Sequence, residues 1–382
     1  ASAGPSVLFG FVGDPRFVFD EVSASGLPAD LVVLFSAAFA AVAAALVAGA
    51  GSGRVRPGPW LLFVTGFVVL VYLPVSHWVW GADGWILGLG AIDFAGGTVV
   101  HIAAGAAALA VAVLAGRRHD WLSIRGHNLP LTLLGAGLLS VGWIGFNAGS
   151  ALAPSDVAAH AALTTVAAFS AGVMAFAVFS LLRSRPVSAA GAASAGVAAL
   201  VGITPGAAAL GTGAAVVVGV VCAGVASLAL SLKYRFGVDD SGDVAAVHLF
   251  PGLVGSVLIG VFAADGLLAS GSWRLLGVQT LASAAVAVYA FGVSFAIGWL
   301  IRAAVGFSVP DGVVDVDEHL HSESAYHPGD PHAVFEVGVS DVLPGYDPQA
   351  FSSAVPGVPT PPGPGTDDAP TSAAGLEDVS AR

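Results

Sequence analysis

Between Leu31 and Ile301 long apolar stretches alternate with short polar ones, a rhythm unlike that of a soluble bundle. The stretches run Leu31–Gly51, Trp60–Trp80, Phe94–Ala115, Leu129–Leu152, Val157–Leu182, Val187–Thr204, Thr212–Leu232, Val244–Phe262 and Leu275–Ile301. None contains an Asp, Glu, Lys or Arg. Each reaches about 18 residues or more, the length a helix needs to cross a hydrocarbon core of about 30 Å. The pattern predicts an all-α polytopic membrane protein with nine complete spanning helices, lodged in a lipid bilayer. Glycine, 51 residues in all, and alanine fill the stretches, as expected where helices pack through small side chains.

Composition sharpens this picture. Of the 382 residues 56% are hydrophobic and 10% charged, where a soluble domain carries about 25% charged, and the mean hydropathy is +0.86. The net charge of −12 gives no reason to expect nucleic acid as a partner. Many of the acids lie beyond residue 306, so that charge says little about what the membrane part handles. The single cysteine, Cys222, sits among Val and Ala and reads as a small core hydrophobe.

Basic residues predict orientation. One set of alternate loops carries Arg54, Arg56, Arg117, Arg118, Arg125, Arg183, Arg185, Lys233, Arg235 and Arg302. The other carries only Arg16 and Arg274, beside Asp14, Asp20, Asp83, Asp156 and Asp265. The Arg-rich side is therefore expected in the cytoplasm, with the C-terminus inside and the residues before Leu31 outside.

The chemistry resides in histidines. His77, His101, His160 and His248 are the ionisable groups of note within or beside the stretches. An ionisable group in hydrocarbon is costly and usually marks a pathway or relay. His101 lies about 12 Å down from the outer end of its helix, and His248 about 8–13 Å up from the inner end of its own. Both reach similar depth from opposite directions, as inverted repeats require. A lone histidine is more simply a satisfied core residue, and His77 and His160, near outer helix ends, are read that way. No Ser/Lys pair, paired Asp or metal-type His-Glu cluster lies within the stretches, so neither an intramembrane enzyme nor a cofactor is expected.

Particular strings extend the reading: Ser76-His77-Trp78-Val79-Trp80-Gly81, Asp93-Phe94-Ala95-Gly96-Gly97-Thr98-Val99-Val100-His101, His127-Asn128-Leu129-Pro130, and Gly142-Trp143-Ile144-Gly145-Phe146-Asn147-Ala148-Gly149-Ser150. Gly202-Ile203-Thr204-Pro205, Val238-Asp239-Asp240 leading to His248, and His321-Ser322-Glu323-Ser324-Ala325-Tyr326 follow. In order and spacing these resemble the ammonium transporter (Amt/Mep/Rh) family, its Amt branch in particular. The resemblance implies the ammonium transporter fold, two inverted five-helix repeats plus a final helix, assembled as a homotrimer with one pore per subunit. The family has eleven helices. Here Val7–Phe11 resembles the end of its second, so the chain is expected to be a fragment or to have its start assigned late. The implied regions are 1–28 (end of a truncated helix and an extracellular loop), 29–305 (transmembrane pore domain), 306–342 (cytoplasmic C-terminal region) and 343–382 (a disordered Pro/Gly-rich acidic tail).

By the same resemblance Phe35, Phe39 and Trp80 wall an outer site for ammonium, with Ser150 supplying an acceptor oxygen. Phe39 and Phe146 form a gate, His101 and His248 line the pore, and Asp93 shapes the vestibule, most simply as a helix cap. The substrate is ammonium or ammonia, and the location is the cytoplasmic membrane. A PII-type signal protein is an implied partner of the tail and of the loop Arg117–Arg125. Asp239, Asp240 and Asp243 read as structural, Thr204 as a cap or packing residue, and Trp78 and Trp85 as belt aromatics. Ala103 stands where the family often has Asn, Leu249 where it usually has Gly, and Ser322 where it has Gly. Leu249 is bulkier and is expected to alter the bore or a helix contact. Two further functions stay open beside facilitated transport: an ammonium sensor that binds with little conduction, and a Rh-like gas channel, which Trp80 and Ser150 disfavour.

Overall fold

In this computed structural model the described residues are 6–7, 12–13, 27–118, 121–122, 126, 128–310, 313 and 320. His127, the tail string 321–326, and nearly all of 306–342 and 343–382 beyond Pro310 fall outside them.

Among the described residues nine helices are long and apolar enough to cross a membrane, one for each apolar stretch. They begin with α1 (Ala29–Gly51). A long second span follows, made of α2 (Pro57–Phe67), a wider π-turn (Val68–Tyr72) and α3 (Leu73–Trp80), with the short α4 (Trp85–Gly88) behind it. Next come a π-turn (Gly97–Ile102) running into α5 (Ala103–Ala115), then α6 (Leu129–Gly149) and α7 (Asp156–Leu182). Helix α8 (Ala189–Ile203) closes in a tight turn (Thr204–Gly206) and leads to α9 (Thr212–Phe236). A third π-turn (Ala245–Leu249) opens α10 (Phe250–Phe262), and after the short α11 (Leu267–Ser270) the long α12 (Arg274–Val305) ends the bundle. Ser6–Val7 and Val12–Gly13 make a two-residue antiparallel pair, so Val7, expected to end a helix, lies in a strand; Leu8–Phe11 are not among the described residues.

Helix starts follow local chemistry. Asn128, Ser155 and Ser188 each accept an amide hydrogen from the first turn of α6, α7 and α8. Pro130 stands in the first turn of α6, where its missing N–H costs nothing. The Gly97–Ala115 span, the π-turn with α5, is the buried axis: 83% of its most apolar stretch is enclosed, against 6% for α6. Its composition explains this, because a run of Ala lets α1, α12 and the Ala245–Leu249 turn ahead of α10 approach closely. Helices α7, α8 and α9 form a second packed group. There Gly172 and Gly219 stand where a Cβ would strike Ala195 and Ala168 carbonyl oxygens.

The ends of the bundle on the Arg-rich side are tied by charge. Arg54, 5% exposed, donates to the carbonyls of Ala50, Gly116 and Asp239. Arg118 grips Asp239 with two side-chain bonds, of 2.9 and 2.7 Å, plus its own amide at 2.9 Å. Burial disfavours the Asp239 carboxylate, but Arg118 and Arg54 outweigh it and hold the carboxyl below its ordinary range. Arg56 N–H to Phe307 O and Val309 N–H to Arg54 O stitch the end of α12 onto the same loop. Lys233 pairs with Asp243.

Candidate functional site

Start from the loop before α5. Gly96 has φ of 99°, a left-handed conformation that glycine adopts without strain. That bend folds Asp93 back over the start of the π-turn. Its Oδ1 accepts from Gly96 and Gly97 N–H, both at 2.8 Å, and its Oδ2 from Thr98 at 2.7 Å and Val99 at 3.2 Å. Both oxygens are spent on the helix end. The carbonyl of Asp93 takes the Trp80 indole N–H at 2.8 Å, which fixes that ring.

On α1, Phe35 and Phe39 stand one turn apart, centroids 4.8 Å apart. Phe39 is the junction. Trp80 meets it edge-on at 6.0 Å, and Phe146 of α6 stacks on it at 4.2 Å and 14°. One turn beyond Phe146, the Ser150 hydroxyl donates to the Phe146 carbonyl at 2.9 Å. A hydroxyl has one hydrogen, so this bond leaves the Ser150 oxygen as an acceptor.

The column continues inward. Phe146 lies 5.9 Å from the His101 ring, and His101 lies 5.4 Å from that of His248, with their Nδ1 atoms 3.4 Å apart. His101 is fully enclosed and His248 is 6% exposed. Two Nδ1 atoms can share a hydrogen bond only if one carries the hydrogen and the other a lone pair. The Nε2 of His101 is buried and without a partner among the described residues. Thus Trp80, Phe39, Phe146, His101 and His248 form one ladder of ring contacts, with Phe35 beside its outer rungs.

Sequence reasoning assigned no site role to Trp143, whose indole stacks on His101 at 5.0 Å and 20°. The signal was present, because Trp143, Phe146 and Ser150 recur at helical spacing on one face of α6. Asp240, read from the sequence as structural, caps Ala245 N–H at 2.7 Å below His248 through Oδ2, while its Oδ1 is buried without a hydrogen bond among the described residues. Burial and the neighbouring Asp243 carboxylate push the Asp240 carboxyl up to about 6.

Two other expectations change. Thr204 accepts the Trp143 N–H rather than only ending a helix. Trp78 is 5% exposed and packs on Tyr289 at 4.6 Å, because α12 covers it, whereas Trp85 is 41% exposed. Leu249 belongs to the packed core with α1 and α5. A Cβ on Gly105 would lie 2.5 Å from its amide nitrogen, so the missing side chain at 105 makes room for the strand of backbone at 249. His77 is buried 3.6 Å from Asp83, and His160 bonds the Leu210 carbonyl at 2.9 Å, both away from the ring ladder.

The pattern of the Ammonium Transporter Family matches residues 3–326. The chain belongs to that family. Among similar proteins, the ammonium transporter of Mycobacterium tuberculosis is 38% identical over 346 residues, covering 84% of this chain and 71% of that protein. Ammonium transporter Amt1 of Archaeoglobus fulgidus is 39% identical over 306 residues, covering 78% of each. Of solved structures, a Mep2 mutant from Candida albicans superposes with a TM-score of 0.69 at 35% identity, covering 73% of this chain and 66% of that one. A structure described as a sensor Amt protein gives 0.76 at 28%, covering 83% and 81%. These relatives share the ammonium transporter fold, so this member is a multi-pass membrane protein of a transporter family and not an enzyme.

Proposed function

We propose that this chain passes ammonium or ammonia across the cytoplasmic membrane. The observation that supports it most is the unbroken ladder of rings from Trp80 to His248. At its outer end the Trp80 face attracts a cation by about 0.5–2 kcal/mol, and the Ser150 oxygen accepts one ammonium hydrogen. Potassium matches the charge but has no hydrogen to donate. Phe39 and Phe146, stacked in contact, form the gate, and their closure strips water from whatever passes. Loss of hydration disfavours the charged form, so ammonium gives up its proton to the imidazole pair His101 and His248, which relays it, and ammonia proceeds. His101 and His248 then offer a donor and an acceptor along an otherwise apolar path. Asp93 holds the His101 turn and touches no substrate.

Orientation and assembly belong to the same reading. The ion-paired Arg-rich ends face the cytoplasm, the tail after Val305 is the docking region for a PII-type protein, and three copies form a homotrimer. Growth of a strain lacking its own ammonium uptake on low ammonium tests the proposal. Rescue by the chain, lost in Phe146→Ala, supports transport; binding without rescue supports instead the sensor reading, which the likeness to a sensor Amt protein keeps in view.

A further inference from the structure

Trp143 and Thr204 are enclosed, 6% and 0% exposed, and together reach the pore pair from outside the ring ladder. The indole lies nearly parallel to the His101 ring. Its N–H donates to Thr204 Oγ1 at 2.7 Å, and that hydroxyl donates onward to the Leu200 carbonyl at 2.7 Å. The single hydroxyl hydrogen is thereby committed to Leu200, so Oγ1 can only accept from the indole. The bond has one direction and one geometry.

The turn that carries Thr204 is itself docked on the His101 segment. Phe94 N–H bonds the Pro205 carbonyl at 2.9 Å. A Cβ on Gly97, which opens the π-turn of His101, would lie 2.5 Å from the Pro205 ring. The Thr204 corner therefore supports His101 by two routes, through the backbone turn that leads into it and through the indole on its face. A π-turn is a wider and less regular support than an α-helix, so such a ring gains from an external brace.

We infer that Thr204 and Trp143 are positioning residues for His101. The hydroxyl fixes the indole, and the indole fixes the imidazole plane. Nδ1 then stays aimed at His248, and Nε2 stays free to exchange a hydrogen bond with the permeating molecule. This rests on the transport reading proposed above.

Thr204→Val removes the hydroxyl at nearly constant volume and strands a buried N–H, whereas Thr204→Ser restores the acceptor. In uptake of labelled methylammonium, Thr204→Val is expected to lower the maximal rate about tenfold, the scale of one buried donor left unsatisfied. KM should stay unchanged, because the outer site is untouched, and Thr204→Ser should recover most of the rate. Trp143→Phe should lower the rate alike and cancel any further effect of Thr204→Val. A wild-type rate in Thr204→Val, a matching rise in KM, or additive losses with Trp143→Phe would overturn the inference. A second readout needs no transport: in protein with isotope-labelled histidine, Thr204→Val should shift the ring-nitrogen resonances of His101. Unmoved resonances overturn the inference whether or not the chain transports. A wild-type chain that takes up nothing while those resonances do shift defeats only the transport reading.

Discussion

Asp93 stands eight residues ahead of His101, Asp240 stands eight ahead of His248, and each caps the π-turn that carries its histidine. The two helices enter from opposite ends of the bundle, so this is one device used twice in inverted halves. The copies are not equal. Asp93 satisfies both oxygens with four amides, while Asp240 leaves Oδ1 buried without a bond.

That inequality predicts different costs. Asp93→Ala strands four amides at a helix start and is expected to destabilise by about 2 kcal/mol or more, since one lost cap costs about 1. Asp93→Asn keeps one carbonyl oxygen and should lose roughly half as much. Thermal unfolding in detergent, followed by tryptophan fluorescence, checks the order. Equal melting points for the two variants would contradict the cap.

Asp240 predicts a pH dependence of unusual sign. Its carboxyl is held up to about 6 in the folded protein against an ordinary value near 4, so the folded state binds the proton more tightly than the unfolded one. Its contribution is therefore favourable at low pH and is lost as pH rises from about 4 to 6. Asp239, held low, runs the other way: its contribution is present above the ordinary carboxylate range and disappears only as pH falls below it. Asp240→Asn, which cannot ionise, should melt higher than wild type at pH 7, by about 2 kcal/mol of stability, and lose that advantage near pH 4. A constant difference across that range would exclude Asp240 as the cause.

Much of this was legible in the letters. Nine spans followed from apolar length alone, because a bilayer leaves helices few alternatives. The ring pairs were less so. Nothing in the spacing of Phe39 and Phe146, on helices far apart in sequence, states that they stack at 4.2 Å. Trp143 was hidden by chemistry rather than distance, since a tryptophan among apolar residues is normally packing and its partner Thr204 sits beside a proline that already explained it. Asp240 was legible as a structural acid but its partner was not, because Asp239, Asp240 and Asp243 stand together and only the fold gives each a different one.

The outer site predicts a split in kinetic constants. Trp80→Leu removes the π-face and is expected to raise KM for ammonium about 2- to 30-fold, with a smaller change in maximal rate. Trp80→Phe keeps a face but not the N–H to Asp93, so a partial rise separates cation attraction from the ring's anchorage. Concentration series of uptake check both. An unchanged KM in Trp80→Leu would remove this ring from recruitment.

Gly105 and Leu249 give the last prediction. A Cβ at 105 meets the Leu249 amide nitrogen at 2.5 Å and its Cα and Cβ at 2.8 Å, so most of the collision is with backbone. Gly105→Ala should cost about 1–3 kcal/mol through overpacking, even though alanine is the better helix former. Because backbone cannot be trimmed, adding Leu249→Ala should restore little and should itself cost about 2–5 kcal/mol as a core truncation. If Leu249→Ala instead rescued Gly105→Ala fully, in melts of the single and double variants, the pair would be held apart by the leucine side chain. The glycine would then be an accommodation of bulk at 249, rather than the condition for the close approach of α5 to the turn that bears His248.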